Sequence, residues 1–250
     1  MPLWKLRIIL IIQFLILLTD GAPPFIPESR GGRRRLRTSG RLLAKPNPVK
    51  CSRRPRQLLD ESTGHYYFFS EDSYFKGNKA NWLDARNLCR ELCMDLISIE
   101  SPIENELIQQ IIAEKGLRDV WTSGRLCNFK GCDKPHLQPR NVNGWFWSGS
   151  GERIYATNST PPGWPEKPWS RTGYIGQFLE NRDVPQPDNA EYLLKPDLVN
   201  VEACLSINNN WYDDGIAWHD SACYRKKSFI CEDSEPLMRK ARSYNPNIKF

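Results

Sequence analysis

The sequence has few histidines, three in 250 residues, and no pair of cysteines at Cys-x-x-Cys spacing. Structural zinc sites draw on those ligands, so the cysteines are read as something other than a metal cage. Long apolar runs are missing too. The stretch Ile8 to Leu18, interrupted only by Gln13, is well short of the ~20 residues a bilayer span requires, and no other run approaches it. There is no nucleophile elbow, zinc-binding helix motif or phosphate loop. The acidic pair Asp213 and Asp214 is a poor substitute for catalytic machinery, because adjacent residues on a turn point in different directions. Internal repeats, heptads and Gly-X-Y triplets are absent, so no stalk for self-association is encoded. These absences predict that the chain is not an enzyme.

The chain begins with Lys5 and Arg7, then the apolar stretch, then the small residues Thr19, Gly21 and Ala22. That order predicts a signal peptide over residues 1–21 and a secreted, extracellular protein without stable membrane insertion; an uncleaved anchor is the other reading. Export places the eight cysteines in an oxidising compartment, where an even count implies four disulfides. Residues 22–56 hold eleven Lys or Arg against Glu28 alone, with Pro, Gly and Ser and no periodic apolar pattern, which predicts a disordered leader or linker. Within it, Arg33-Arg34-Arg35-Leu36-Arg37 reads either as a processing site that ends a propeptide or as a solvated basic arm meeting anionic glycans or membrane surfaces. The net charge is +6, yet residues 57–250 carry −5. A nucleic-acid partner does not suit a secreted chain of that balance.

Order is expected from residue 57 to 233, with a polar, basic tail over 234–250. His65 to Ser70 reads as a first strand. Trp82, Ala85, Leu88, Cys89 and Leu92 recur at helical spacing, with Asn78 or Asn81 near the start. A strand over Leu96 to Ile99 precedes a second helix opened by Ser101-Pro102, with Glu104 placed as in a capping box and Gly116 at the end. Residues 122–200 are rich in Gly, Pro, Asn and Trp and read as long loops around short strands such as Trp145-Phe146-Trp147. Val201 to Ile207, Ile216 to Cys223 and Ser228 to Cys231 read as closing strands, with Asp213-Asp214-Gly215 as a turn.

Trp82-Leu-Asp-Ala-Arg-Asn-Leu-Cys89, then Leu96-Ile-Ser-Ile-Glu100, then Glu104-Asn-Glu106, and at the other end Cys204, Cys223 and Phe229-Ile230-Cys231-Glu232, together resemble a C-type lectin domain. Extra cysteines and the Trp121 and Trp145 motifs are most like secreted single-domain lectins of arthropods. The resemblance implies an α+β fold, two helices flanking small antiparallel sheets with a long loop region, stapled by disulfides Cys89 to Cys231 and Cys204 to Cys223. For the other four, Cys127 with Cys132 and Cys51 with Cys93 is one of three connectivities.

The same resemblance implies a calcium-bridged sugar site. Gln186-Pro187-Asp188 is similar to the family's Q-P-D triplet, usually with a cis proline; Glu202 and Asp220 stand at further ligand positions. The implied metal ligands are Gln186, Asp188, Glu202 and Asp220, hard oxygens that suit calcium. His219 replaces the family's Asn in W-N-D; imidazole is a poor calcium ligand but can bond a hydroxyl, and it either titrates near neutral pH or is simply exposed. The order Gln then Asp goes with galactose-type glycans, on which Tyr192 is placed to stack. The sugar-binding set is thus Gln186, Asp188, Tyr192, Glu202, His219 and Asp220, for a protein in extracellular recognition or innate immunity. The alternative is the same fold without sugar binding, a module of the extracellular matrix that meets proteins through a tryptophan-rich loop face. Asn158-Ser159-Thr160, followed by Pro161, is a glycosylation sequon on a surface loop.

Overall fold

A computed structural model describes residues 42–72, 74–175, 184–194, 202–247 and 249. The expected signal peptide, the Arg33 to Arg37 run and Val201 lie outside the described residues. The elements in chain order are α1 (Pro48–Ser52), β1 (Leu58–Asp60), β2 (His65–Phe69), α2 (Trp82–Glu91), β3 (Met94–Leu96), α3 (Pro102–Glu114), β4 (Asp119–Leu126), α4 (Arg140–Asn143) and β5 (Trp145–Trp147). After them come α5 (Glu191–Leu194), β6 (Cys204–Asn209), β7 (Ile216–Ser221), β8 (Ser228–Asp233) and α6 (Glu235–Tyr244).

The strands form one sheet in the order β1-β2-β8-β4-β6-β7, with β3 also on β8 and β5 on β4. All pairings are antiparallel except β4 with β8, where Val120 and Trp121 lie opposite Ser228 and Phe229. The last strand therefore enters the middle of the sheet. Apolar residues divide between two clusters: α3 packs Ile108, Ile111 and Ile112 with Ile97, Val120, Leu205, Ile207 and Ile230, and α2 packs Trp82, Ala85 and Cys89 with Trp121 and Phe229.

The helix starts follow their sequence signals. The Asn81 side chain accepts from the Asp84 N–H at the head of α2, and Ser101 Oγ accepts from the Glu104 N–H at the head of α3. Glu104 departs from the capping box. One of its oxygens takes the Glu100 N–H and the other the Tyr67 hydroxyl. The strand expected at Leu96 to Ile99 is Met94–Leu96 instead. The Ile97 N–H still donates to the Ile230 carbonyl, but the next, that of Ser98, is taken by the Glu232 carboxylate.

Four disulfides join Cys51–Cys93, Cys89–Cys231, Cys127–Cys132 and Cys204–Cys223, and no described cysteine is free. The architecture is thus α+β and disulfide-stapled, as the C-type lectin resemblance implies.

Both ends differ from expectation. In place of a disordered linker up to Arg56, Asn47 caps α1 and Cys51 is buried in a bond to Cys93. In place of a polar tail, Glu235–Tyr244 is a helix whose Leu237, Met238 and Ala241 bury against that disulfide. Three apolar residues at i, i+1 and i+4 make one buried stripe, too sparse to stand out in a basic stretch. The tryptophans differ as well. Trp145, Trp147, Trp169 and Trp218 are all buried, edge to face at 5.1 to 5.9 Å, and form the floor of the loop region, while Trp164 and Trp211 are half-buried.

Candidate functional site

β6 and β7 pair in register from Cys204 opposite Ser221 to Asn209 opposite Ile216, and this fixes Asp220 on β7 beside Glu202, which precedes β6. The loop bearing Gln186 to Asp188 is tied to this pair at several points. The Gln186 N–H donates to the Ser170 carbonyl, the Asp188 and Asn189 N–H groups donate to the two oxygens of Asp220 at 3.2 and 2.8 Å, and the Asn189 side chain accepts from the Glu202 N–H. The Gln186–Pro187 peptide is cis. Gly173 lies so near that a Cβ there would be 1.9 Å from Gln186 Nε2 and 2.7 Å from Asp188 Oδ2.

Asp188, Glu202 and Asp220 converge: one carboxylate oxygen from each lies within 4.8 Å of the other two. Oxygens held at ~2.4 Å from a common centre cannot be farther apart than about that distance, so the spacing fits a calcium-sized cation. Burial pushes the Glu202 carboxyl up to about 7, with the charges of Asp188 and Glu191 adding to it. Burial likewise raises Asp188, and it raises Asp220 well above the carboxylate range together with the charges of Glu202 and Asp188. Three carboxyls that repel one another in a largely buried place are a group that a divalent cation would relieve.

These residues line a cavity of about 230 Å³ that also includes Gln186, Tyr174, Trp211 and Tyr212. On its far side Lys227 is buried, paired with Asp119 at 3.2 Å and flanked by the Trp121 and Trp211 rings. Arg225 holds Glu191 through Nε at 2.8 Å. Tyr174, Trp211, Tyr212, Arg225 and Lys227 were not expected here. An aromatic or a cation in a loop carries no local mark of the cavity it will line, and only the Trp211-Tyr212 pair ahead of β7 offered any signal.

His219 lies in the wall of this cavity, yet it is neither exposed nor poised to titrate near neutrality. It is 2 % exposed, its ring rests 5.6 Å from that of Tyr212, and its Nε2 is buried without a hydrogen-bond partner among the described residues. Burial, with the Lys227 charge adding to it, pushes its pKa down to about 3. It is not part of the converging acidic set. Tyr192 sits on α5, 42 % exposed and not among the lining residues. Asn158 is exposed on its loop, so the sequon is accessible.

Solved structures similar to this chain include C-type lectin domains. The mouse scavenger receptor C-type lectin carbohydrate-recognition domain superposes with a TM-score of 0.40 at 19 % identity, covering 68 % of this chain and 90 % of that one. Human lithostathine gives 0.40 at 18 %, covering 68 % and 92 %. A Ca2+-dependent type II antifreeze protein in its Ca2+-free form gives 0.42 at 19 %, covering 70 % and 94 %. No family model matches the sequence, and no curated protein matches it either. Among the described residues no helix is long and apolar enough to cross a membrane.

Proposed function

We propose that this chain is a secreted glycan-binding protein of the C-type lectin kind that holds a calcium ion between Asp188, Glu202 and Asp220 and uses it to bind galactose-type sugars. The observation that carries the reading is the convergence of three carboxylates, from a cis-proline loop, the segment leading into β6, and strand β7, in one open cavity. When bound, calcium supplies open coordination positions that neighbouring sugar hydroxyls can fill. The chain's own groups do the rest. The Asp188 and Asn189 N–H groups fix Asp220, and Asn189 fixes the backbone at Glu202, so the oxygens are set before the ion arrives. Gln186, hydrogen-bonded to Asp188, presents an amide beside a carboxylate, one donor and one acceptor for a pair of hydroxyls. Tyr174, Trp211 and Tyr212 offer the aromatic surface against which a sugar ring can stack, a role Tyr192 is badly placed to fill.

The matrix-module alternative keeps only the half-buried Trp164 and Trp211 as aromatic surface, since Trp145, Trp147, Trp169 and Trp218 are core. Titration calorimetry of the full chain with galactose and mannose, with calcium and with a chelator, tests the reading. Calcium-dependent heat with galactose exceeding mannose is expected. Absence of any calcium-dependent binding of either sugar would sink it.

A further inference from the structure

The two ends of the described chain, both basic and far apart in sequence, are brought to one place. The segment entering α1 runs along α2: the Ala44 N–H donates to Asn87, Arg90 Nε donates to the Ala44 carbonyl, and the Asn47 N–H donates to the Glu91 carbonyl. Cys51 is bonded to Cys93, whose carbonyl accepts from the Ser234 N–H at the head of α6. Arg54 closes the clasp, with Nε at 2.7 Å and Nη2 at 3.1 Å from the two oxygens of Asp233. α1 therefore packs on α6 across the Cys51–Cys93 bond.

The clasp pools charge. Residues 42–56 hold five cations and no acidic residue, and residues 233–250 hold four against Asp233 and Glu235. Asp233 is consumed by Arg54, and Lys50 is paired with Glu91. Glu235 is shared between Arg239 and Arg242, at 3.9 and 3.4 Å. Lys45, Arg53, Arg56 and Lys240 are exposed and make no ion pair among the described residues. Excess positive charge is thus concentrated on one clasp while residues 57–250 as a whole are acidic, and such segregation draws a polyanion to one face.

We infer that this clasp is a second binding surface, for a sulfated polysaccharide, distinct from the cavity of Asp188, Glu202 and Asp220 and independent of calcium. Two observations choose this polyanion. All described cysteines are paired, which suits an oxidising compartment where extended polyanions are sulfated glycans and not nucleic acid. The apolar stripe of α6 is spent on the Cys51–Cys93 bond, so the helix has no apolar face to lay into a bilayer. Arginine forks match sulfate oxygens two at a time, and the surface carries Arg53, Arg56, Arg239 and Arg242 from both ends.

The test is binding of the full chain to immobilised heparin in the presence of a chelator, over a series of salt concentrations. Two double variants, R53E with R56E and R239E with K240E, leave the Arg54 to Asp233 pair and the buried stripe intact. Each is expected to weaken binding by about tenfold and to flatten its salt dependence, because fewer counterions are released. A control pair in the loop region, K134E with K167E, is expected to leave binding unchanged. No binding to heparin, binding untouched by either double variant, equal binding to desulfated heparin, or binding to anionic phosphatidylserine vesicles but not to heparin would each overturn the inference. Calcium-dependent galactose binding that survives in both double variants separates this surface from the sugar site.

Discussion

The Tyr67 hydroxyl has one hydrogen and two carboxyl neighbours, Asp60 Oδ2 at 3.0 Å and Glu104 Oε1 at 2.6 Å. It can donate to only one of them, so the other contact holds only if that carboxyl carries a proton. Of the two, Glu104 is the one drawn toward the neutral form: burial, with the charge of Glu232 adding to it, pushes it up to about 7. Asp60 goes the other way, since hydrogen bonds from Ser62, Tyr67 and Thr63 outweigh its burial. A carboxyl whose folded pKa lies above its unfolded value stabilises the fold fully below about pH 4.5, and the benefit is lost as the pH rises through about 7. The shift corresponds to about 3 kcal/mol. Glu104→Gln, neutral at every pH, is expected to raise the urea midpoint relative to the parent at pH 8 and to leave it nearly unchanged at pH 4; equal differences at both would refute the proton sharing. At the proposed calcium site, Gly173→Ala is expected to leave the fold within about 1 kcal/mol, since only the ends of the Gln186 and Asp188 side chains must move, yet to lower calcium affinity by about tenfold or more. Calorimetry and a thermal melt of the same variant separate the two effects.

At the scale of elements, α6 shows how a segment of unpromising composition becomes structural. Its exposed side is Arg239, Lys240 and Arg242; its inner side is only Leu237, Met238 and Ala241. A ten-residue helix of this kind is marginal alone, and it is held by packing on a disulfide. Removing that bond with Cys51→Ser and Cys93→Ser is expected to cost about 4 kcal/mol in the chain-entropy model for a separation of 42 residues. Loss of protection in hydrogen exchange should be concentrated in α1 and α6, with α3 and β4 little changed. Uniform loss across the sheet would mean that the clasp supports the whole fold. The same element explains one failure of sequence reading. The helix over Pro102–Glu114 announces itself through Ser101, Pro102 and a run of isoleucines, whereas α6 has too few apolar residues for its period to be read.

Over the whole molecule, long-range staples and a loop-borne site are coupled. Cys89–Cys231 joins the first long helix to the strand at the centre of the sheet, and Cys204–Cys223 braces the pair β6 and β7 that carries Asp220. A cation bound only by the folded state should stabilise it by mass action, about 2.7 kcal/mol at a hundredfold excess over Kd. Calcium is thus expected to raise the melting temperature of the full chain and a chelator to reverse it, and the Asp220→Asn variant should lose the effect. A melting temperature indifferent to calcium would argue against the site.

The sequence by itself determined the two long helices, their N-caps and most strands, because helix and strand periods and capping residues act within a few positions along the chain, while the α+β class followed from the family resemblance. It also carried the acidic residues Asp188, Glu202 and Asp220, through their place in short motifs. Only the tertiary structure decided that these three meet, that His219 is buried and held neutral, that Tyr174, Trp211 and Tyr212 line the cavity and Tyr192 does not, and that two basic ends form one clasp. The reason is that burial and electrostatic environment belong to whatever packs over a side chain, and those neighbours come from distant stretches of sequence.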